Sequence, residues 1–583
     1  MSLASRRRAA WLAWCCVVVA CGVGLRWYRI DNAIDCWAPD KAPLGDAHPY
    51  VVVGGPADAF ARVSSELRSL AAVGRVLDPM DVALLHPFGG PTADRFVING
   101  DWAGGFYFAQ DDASAADLLE AVHAVADREP SVRIAGPAAY DVGINAASQA
   151  RMPQIAAAIA AIGFVGVRLC GFGWRVAASA SAVVVGAQVA LLGAMSWLGV
   201  AVDATASMAP PLMAALGYSL VLHRAGGAGD GLLLGCFATT AAAAASVAVA
   251  PVGPLRQFGL VSLGGLTLVT VGTWLLVNGG GPLPRSCAIL GRGSKVAWLA
   301  AVGAIVVGIL ATPRLHVNAD GLALLPSASR ERAAFEALDS RLTGMLPSQF
   351  IAEPASPELA AELEWSPAVV KVVDTSRVDG LPPGSRLWVL AHNNGLRDLA
   401  AMAAKLRVSA VASGSTVGWH GLAAQLAEAE EQVASVAIAA LPTALAVTAA
   451  AAWIASRSFR AALAACLVAA LPSAVLIATL AAFGVPLTPP HLLVFAVATG
   501  VAADDLLHVC RAWATDADAG WRHACLASSA VSVACLLPLL ASPFPPARQF
   551  AWMLALALTV ASAAGVFLFP RMLPSRKAHC DIA

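Results

Sequence analysis

Twelve apolar segments, each close to the length of a bilayer crossing, restrict the fold of this chain more than any other feature. The first covers residues 11–25; five follow in close succession at 153–168, 176–197, 207–223, 231–250 and 257–279. The pattern then recurs, with one segment at 296–312 and five at 433–455, 461–482, 489–510, 524–541 and 549–570. A helix needs about 20 residues to cross the hydrocarbon core, and each segment approaches that length. Composition agrees: 58% of the 583 residues are hydrophobic and 13% are charged, against about 25% charged in ordinary soluble domains. The fold class expected is a polytopic α-helical membrane protein of twelve transmembrane helices, arranged as two one-plus-five repeats.

The organisation that follows is an N-terminus and first span (1–28), a polar domain (29–152), five spans (153–280) and a linker (281–295). A seventh span (296–312), a second polar domain (313–432), five spans (433–570) and a tail (571–583) complete it. Arg6, Arg7 and Arg8 before the first segment give it the layout of a signal peptide. The lack of a clear small-residue cleavage site and the many later spans favour a retained helix. Arg168 and Arg175, then Arg285, Arg292 and Lys295, then Arg457 and Arg460 fall in short loops on one side. Arg6–Arg8 and the tail residues Arg571, Arg576 and Lys577 join them there. The positive-inside rule makes this face cytoplasmic, with both termini on it and both polar domains outside. A bacterial inner membrane is the expected location.

Several classes of function are disfavoured. Net charge is zero, which gives no support for a nucleic-acid partner. Most of the twelve cysteines, among them Cys15, Cys16, Cys21, Cys466 and Cys535, fall in apolar segments, and only Cys36 lies in an outer stretch. A disulfide framework is not expected, and no C-x-x-C pair or His/Cys cluster has metal-binding spacing. The abundance of Ala, Val and Gly fits helices packed closely in lipid, and fits a high-GC genome equally well.

Internal matches support a duplication. Residues 254–258 read P-L-R-Q-F and 546–550 read P-A-R-Q-F; 73–78 read V-G-R-V-L-D and 369–374 read V-V-K-V-V-D. His223, near the end of one fourth span, answers His508 in the other. The second half also carries a set of recognisable strings: Asn318-Ala-Asp320-Gly321 with Leu324-Leu325-Pro326, Arg457-Ser-Phe-Arg460, Gly484-Val-Pro-Leu487, and Gly500-Val-Ala-Ala-Asp504-Asp505-Leu-Leu-His508. With the one-plus-five layout, these make the chain resemble the resistance-nodulation-division (RND) superfamily, and within it the MmpL-like lipid exporters in a small form. The last string is similar to that family's GxxxDDxxH signature and is the most specific of the four.

Asp504 and Asp505 are the only acidic residues inside any expected span. A membrane-buried carboxylate costs about 2.5 kcal/mol or more, so such groups commonly mark ion or proton routes. Two adjacent carboxylates repel one another, an arrangement suited to holding one proton. His508 lies one helical turn after Asp504, on the same face; it can relay a proton, or anchor a helix end by favouring the dipole. Arg511 marks the cytoplasmic exit of that span. Ser528, Ser529 and Ser532 in the next span, and Thr239 and Thr240 in its first-half counterpart, are relay-support candidates that can equally serve as packing glue. In the first half, Ser219 and Leu220 stand opposite the two aspartates, and the run Leu216-Gly217-Tyr218-Ser219 has no ionisable group but Tyr218. At most one acidic centre is therefore expected. Many proton-driven members of the family carry an acidic pair in the first half, so this departure bears on mechanism and not on fold.

The polar domains read as alternating strand and helix: 50–54, 57–70, 74–77, 106–109, 115–125 and 131–134, then 348–352, 357–363, 369–373, 387–391, 396–405 and 408–412. Two β-α-β units per domain point to α+β, split βαβ, ferredoxin-like domains, as in the family's porter domains. Trp102, Phe106, Tyr107 and Phe108 form the densest aromatic group, suited to a sheet core or to a cargo path.

The resemblance implies a secondary transporter that exports a hydrophobic or lipid-like molecule, coupled to protons through Asp504, Asp505 and His508. It implies membrane lipids and a hydrophobic small-molecule or lipid cargo as partners, a periplasmic acceptor protein, and a homo-oligomer. The alternative is a non-transporting lipid-binding sensor or assembly protein on the same fold. No enzyme, metal or organic cofactor is expected, and the lack of a Walker motif leaves the proton gradient as the energy source.

Overall fold

The computed structural model describes residues 3–30, 50–77, 98–99, 101–110, 113–250, 252–277, 294–315, 321–342, 346–353, 357–366, 369–374, 385–391, 396–412, 414–420, 422–485, 487, 489–515 and 521–573. Cys36, Arg285, Arg292, Asn318, Asp320, Pro486, Arg576 and Lys577 lie outside the described residues. The chain folds into two compact units. One holds Met1–Asp31, Ser148–Val317 and Gln432–Ala583; the other holds Asn32–Ala147 and Asn318–Glu431.

The first unit is helical. Its helices are α1 (Leu3–Gly24), α2 (Met152–Leu169), α3 (Trp174–Trp197), α4 (Ala209–Ala225), α5 (Asp230–Ala248), α6 (Gly253–Leu276), α7 (Lys295–Ala311), α8 (Leu422–Ser456), α9 (Phe459–Phe483), α10 (Pro489–Thr515), α11 (Trp521–Leu536) and α12 (Pro545–Ala563). Among the described residues, ten helical stretches are long and apolar enough to cross a bilayer. The chain is thus a polytopic helical protein of the membrane type. The expected fourth and eighth spans fall outside that set for different reasons. Helix α4 has only 17 residues, and in the 35-residue α8 the apolar stretch counted among the described residues is Ala440–Ser456.

Small residues determine where these helices touch. Helix α1 packs on α3, and α7 on α9. A Cβ at Gly193 would collide with the Cys21 carbonyl of α1, and one at Gly308 would stand 2.8 Å from the Ala474 backbone of α9. Close backbone approach of this kind replaces the hydrophobic driving force that lipid does not supply. Gly199 after α3 and Gly484 after α9 take left-handed φ values of 69° and 62°, the conformation that ends a helix sharply and favours glycine. Helices α4 and α10 lie at the centre. The apolar stretch of α10 is 100% buried, whereas 11% of that of α1 and 17% of that of α7 is; the last two therefore form the margin of the helical unit. Helix α10 packs on α5, α9 and α12, and α4 packs on α11, α6 and α3.

The second unit holds two antiparallel sheets. The first contains β1 (Tyr50–Pro56), β2 (Val73–Leu77), β3 (Ile98–Asn99), β4 (Trp102–Ala109) and β5 (Arg133–Ala135) in the order β2-β4-β1-β5, with the short β3 on β4. The second contains β6 (Leu346–Glu353), β7 (Val369–Asp374), β8 (Ser385–Ala391) and β9 (Thr416–His420) in the order β7-β8-β6-β9. One helix follows the first strand of each sheet and another precedes the last, giving β-α-β-β-α-β threading twice, with matching strand order. In the first sheet, Val51, Val53 and Tyr107 form a core with Phe60, Leu67, Leu118 and Val122 of the helices. Tyr107 is fully buried there, so this aromatic belongs to the sheet core. Gly54 and Gly104 leave room on the sheet for Leu338 and Leu342, carried in by the helix Arg330–Arg341 and the residue after it.

One strand expectation is corrected. Residues 408–412 continue the helix Leu396–Ala412, and the last strand is β9. The run V-S-A-V-A follows an Ala-rich helix without a breaker until Gly414, whose φ is 73°. The β-branched residues that suggest a strand, Val408 and Val411, are solvent-facing positions on that helix, 73% and 78% exposed.

Candidate functional site

The centre of the helical unit brings α10 against α5, and α4 against α11. Gly500 explains the first approach. It lies one turn before Asp504 on the same face of α10, and a Cβ there would stand 3.1 Å from Ala243 Cβ and 3.2 Å from Thr240 Cα of α5. With no side chain at 500, the two backbones close, and the hydroxyls of α5 reach the carboxylate one turn further on. This is the physical content of the Gly-x-x-x-Asp spacing.

Asp504 and Asp505 are both buried. Thr239 Oγ1 lies 3.3 Å from Asp504 Oδ1, and Thr240 Oγ1 lies 3.5 Å from the same oxygen. Each hydroxyl also has a backbone acceptor: Thr239 reaches the Cys236 carbonyl at 2.9 Å, and Thr240 the Gly500 carbonyl at 3.5 Å. A hydroxyl has one proton and two lone pairs. It can therefore donate to an ionised Asp504, or donate to the backbone and accept from a protonated one. Both charge states of the carboxyl are satisfied without rearranging the helices.

Asp505 faces a different set. Ser529 of α11 donates to its Oδ2 at 3.4 Å. Thiols flank both carboxylates, Cys236 beside Asp504 and Cys525 beside Asp505. Gly565 presses on Asp505 from the last helix, where a Cβ would stand 3.3 Å from the Asp505 Cβ. The backbone there is a π-helical turn, Ala564–Leu568, an irregularity often found beside functional groups.

The remaining relay-support candidates separate. Thr239, Thr240 and Ser529 touch the acidic pair. Ser528 donates to the Cys525 carbonyl at 2.9 Å, and Ser532 to the Ala215 carbonyl of α4 at 2.7 Å. Those two bind helices to themselves and to each other.

The imidazole nearest the acidic pair comes from the first half. His223 of α4 is fully buried, and its Nε2 lies 3.8 Å from Asp505 Oδ1. Its ring stacks on that of His508, with centroids 4.0 Å apart and planes at 22°. Neither ring nitrogen of His223 has a hydrogen-bond partner, nor does Nε2 of His508. The first half thus supplies no carboxylate to the pair, but it does supply an imidazole. His223 sits one turn beyond Ser219, the residue opposite Asp504, so its place as the counterpart of His508 did not by itself announce a meeting with Asp505. A second signal lay in the next helix of each half, where Cys236-Phe-Ala-Thr-Thr240 answers Cys525-Leu-Ala-Ser-Ser529.

Asp203, between α3 and α4, is the other buried carboxylate among the described residues. Its Oδ1 accepts from the Ala206 amide at 2.7 Å and so caps the turn that leads into α4. Burial pushes this carboxyl up to about 7 despite the backbone donors of Ala206 and Thr205. Its own amide donates to Gln257 of α6 at 2.8 Å. Among the described residues, no group of three or more His, Cys, Asp or Glu side chains is arranged to hold a metal ion. No protein-family model matches the chain, and no curated protein matches it.

Proposed function

We propose that the chain is an RND-type secondary transporter that exports a hydrophobic or lipid-like molecule, driven by protons that bind and leave at Asp504 and Asp505. One observation carries this reading: two adjacent buried carboxylates on the central helix, with the hydroxyls on Asp504 able to serve either charge state. An ionisable group held in the apolar interior at a cost of several kcal/mol is the usual mark of a proton or ion route.

Twelve spans in two one-plus-five repeats belong to the same proposal. It is supported by helix packing that recurs with a six-helix shift: α1 on α3 and α7 on α9, α5 on α10 and α11 on α4, α6 on α5 and α12 on α11. In this reading α4 and α8 complete the twelve, and the two sheets of matching order are porter-like domains outside a bacterial inner membrane. Both termini are cytoplasmic, consistent with the basic loops. A hydrophobic cargo enters from the outer leaflet, and a periplasmic acceptor receives it from a homo-oligomer of the chain.

The test is proton movement in vesicles made from the source cell's own lipid extract, which contain the cargo without its being identified. D504N, D505N and the double substitution are compared with wild type. We expect the double variant to be slower by at least about 100-fold, the usual weight of a positioned proton carrier. Wild-type rates in the double variant would remove the transport reading and leave a lipid-binding sensor on the same fold.

A further inference from the structure

The two imidazoles lie on one side of the acidic pair. On α10, His508 stands three residues beyond Asp505, about 5 Å along the axis at about 1.5 Å per residue, and Arg511 follows at the exposed end. On α4, His223 is the last buried residue before Arg224, whose guanidinium binds the Ala228 carbonyl and Asp230. The titratable and charged groups around the pair are Asp504 and Asp505 of α10, Cys525 of α11, Cys236 of α5, and then Arg224 and Arg511. Helices α3 and α6 carry no charged residue but Arg175 and Arg256, each in the first turn of its helix. The stacked rings are thus the last buried imidazoles between the carboxylates and the arginine-bearing ends, with only the Cys510 thiol buried beyond His508 on α10 before Arg511.

Buried polar atoms without partners are rare and call for an explanation. Here three ring nitrogens in one stack have none, beside a carboxylate oxygen at 3.8 Å. That gap is too long for a hydrogen bond, but a turn of the carboxylate or one bridging water closes it.

We propose that His223 and His508, one from each half, form the gate through which protons pass between the acidic pair and the arginine-bearing end. The inference rests on the proton-coupled reading above and adds its path. Asp505 in its acid form gives its proton to the free nitrogen of neutral His223, leaving a carboxylate and an imidazolium. The imidazolium then releases the proton from its other nitrogen toward His508 and the arginine end, and returns to the neutral form as the opposite tautomer. Rotation of the ring resets it. No bond other than N–H and O–H is made or broken, and charge is conserved at each transfer. Stacking at 4.0 Å sets the count: two imidazolium rings face to face repel, so the gate carries one proton at a time. The arrangement also gives the first half a part in coupling, since movement of α4 against α10 opens or closes the stack.

The full chain is tested in the same lipid-extract vesicles, with H223Q, H223N and H508Q beside D505N. Asparagine and glutamine keep a polar atom near Nδ1 and Nε2 respectively, but neither can pass a proton through the side chain. Three readouts are taken: proton movement, its slowing in deuterium oxide, and the infrared C=O stretch of protonated carboxyl groups. We expect each histidine variant to move protons at least about tenfold more slowly and with a larger deuterium effect, while the carboxyl band still responds to pH. Histidine variants within twofold of wild type, alongside an inactive D505N, would overturn the gate and leave the acidic pair in place. Loss of the pH-responsive band together with flux in all three histidine variants would assign the rings a packing role and also overturn it. Wild-type flux in D505N and in the double aspartate variant would overturn the underlying reading itself.

Discussion

Helices α4 and α10 occupy matching places and do different work. Each is central, each packs on a helix from the other set of six, and each carries a histidine near its end. At the α10–α5 crossing Gly500 meets Ala243. At the α4–α11 crossing Ala215 accepts a hydrogen bond from Ser532. One turn further on, α10 presents Asp504 and Asp505, whereas α4 presents Ser219 and Leu220. The comparison teaches that a fold can keep two equivalent helix crossings while only one is opened for charge. The hydroxyls at the charged crossing come from α5, and α4 brings the imidazole of His223 to it without adding a second carboxylate.

The sharpest way to break this comparison is to fill the two crossings. Gly500→Val adds atoms where even a Cβ is tight, pushes α10 from α5, and takes the threonines off Asp504. Proton movement should fall by about 100-fold or more. Ala215→Val at the matching crossing should lower stability by about 1–3 kcal/mol and retain most of the flux. Equal loss in both, measured in vesicles and by thermal unfolding in detergent, would erase the distinction.

Next in size is the hydroxyl supply. Replacing Thr239 and Thr240 together by Val leaves Asp504 without those hydroxyls, a loss of about 1–3 kcal/mol for an unmet buried group. Flux should drop about tenfold to a hundredfold. Ser528→Ala, which removes a hydroxyl directed at a backbone carbonyl, should change it less than twofold. A Ser528 effect as large as that of the threonines would contradict the division between relay and packing groups.

The third prediction concerns pH outside the spans. Asp203 is raised by burial from 3.8 to about 7. The folded protein therefore binds more protons than the unfolded chain between these values, and stability falls as pH rises through that window. Asp203→Asn keeps a capping oxygen and should flatten that fall; an unchanged slope between about pH 4 and 7 would show that another group sets it. The smallest effect belongs to the sheet unit, where a hydrogen bond from Arg330 holds the Asp127 carboxyl down to about 2. This pair contributes above the ordinary carboxylate range and is lost as pH falls toward 2. It is exposed, so Arg330→Ala should cost no more than about 1 kcal/mol, read by denaturant unfolding.

Much of the helical architecture was legible in the sequence because lipid imposes a simple rule: long apolar runs, with charges confined to the ends. The acidic pair stood out for the same reason, as the one break in that rule. The 17-residue α4 shows where the rule weakens, since a helix buried among other helices need not match the full thickness of the bilayer. In the sheet unit, β-branched residues misled at Val408 and Val411, where an uninterrupted helix overrode their strand preference. His223 was visible as the counterpart of His508, but its meeting with Asp505 depends on the angle at which α4 passes α10. Helix α4 is held in place by its packing on α11, α6 and α3, which its own residues do not announce.

The claim on which the rest stands is that Asp504 and Asp505 take up and release a proton inside the membrane. Infrared titration of the purified, reconstituted chain tests it most directly, by following the C=O stretch of protonated carboxyl groups as pH is stepped. Wild type should show a band that grows and fades with pH, is altered in D504N and in D505N, and is absent from the double variant. A wild-type spectrum in the double variant would contradict that claim.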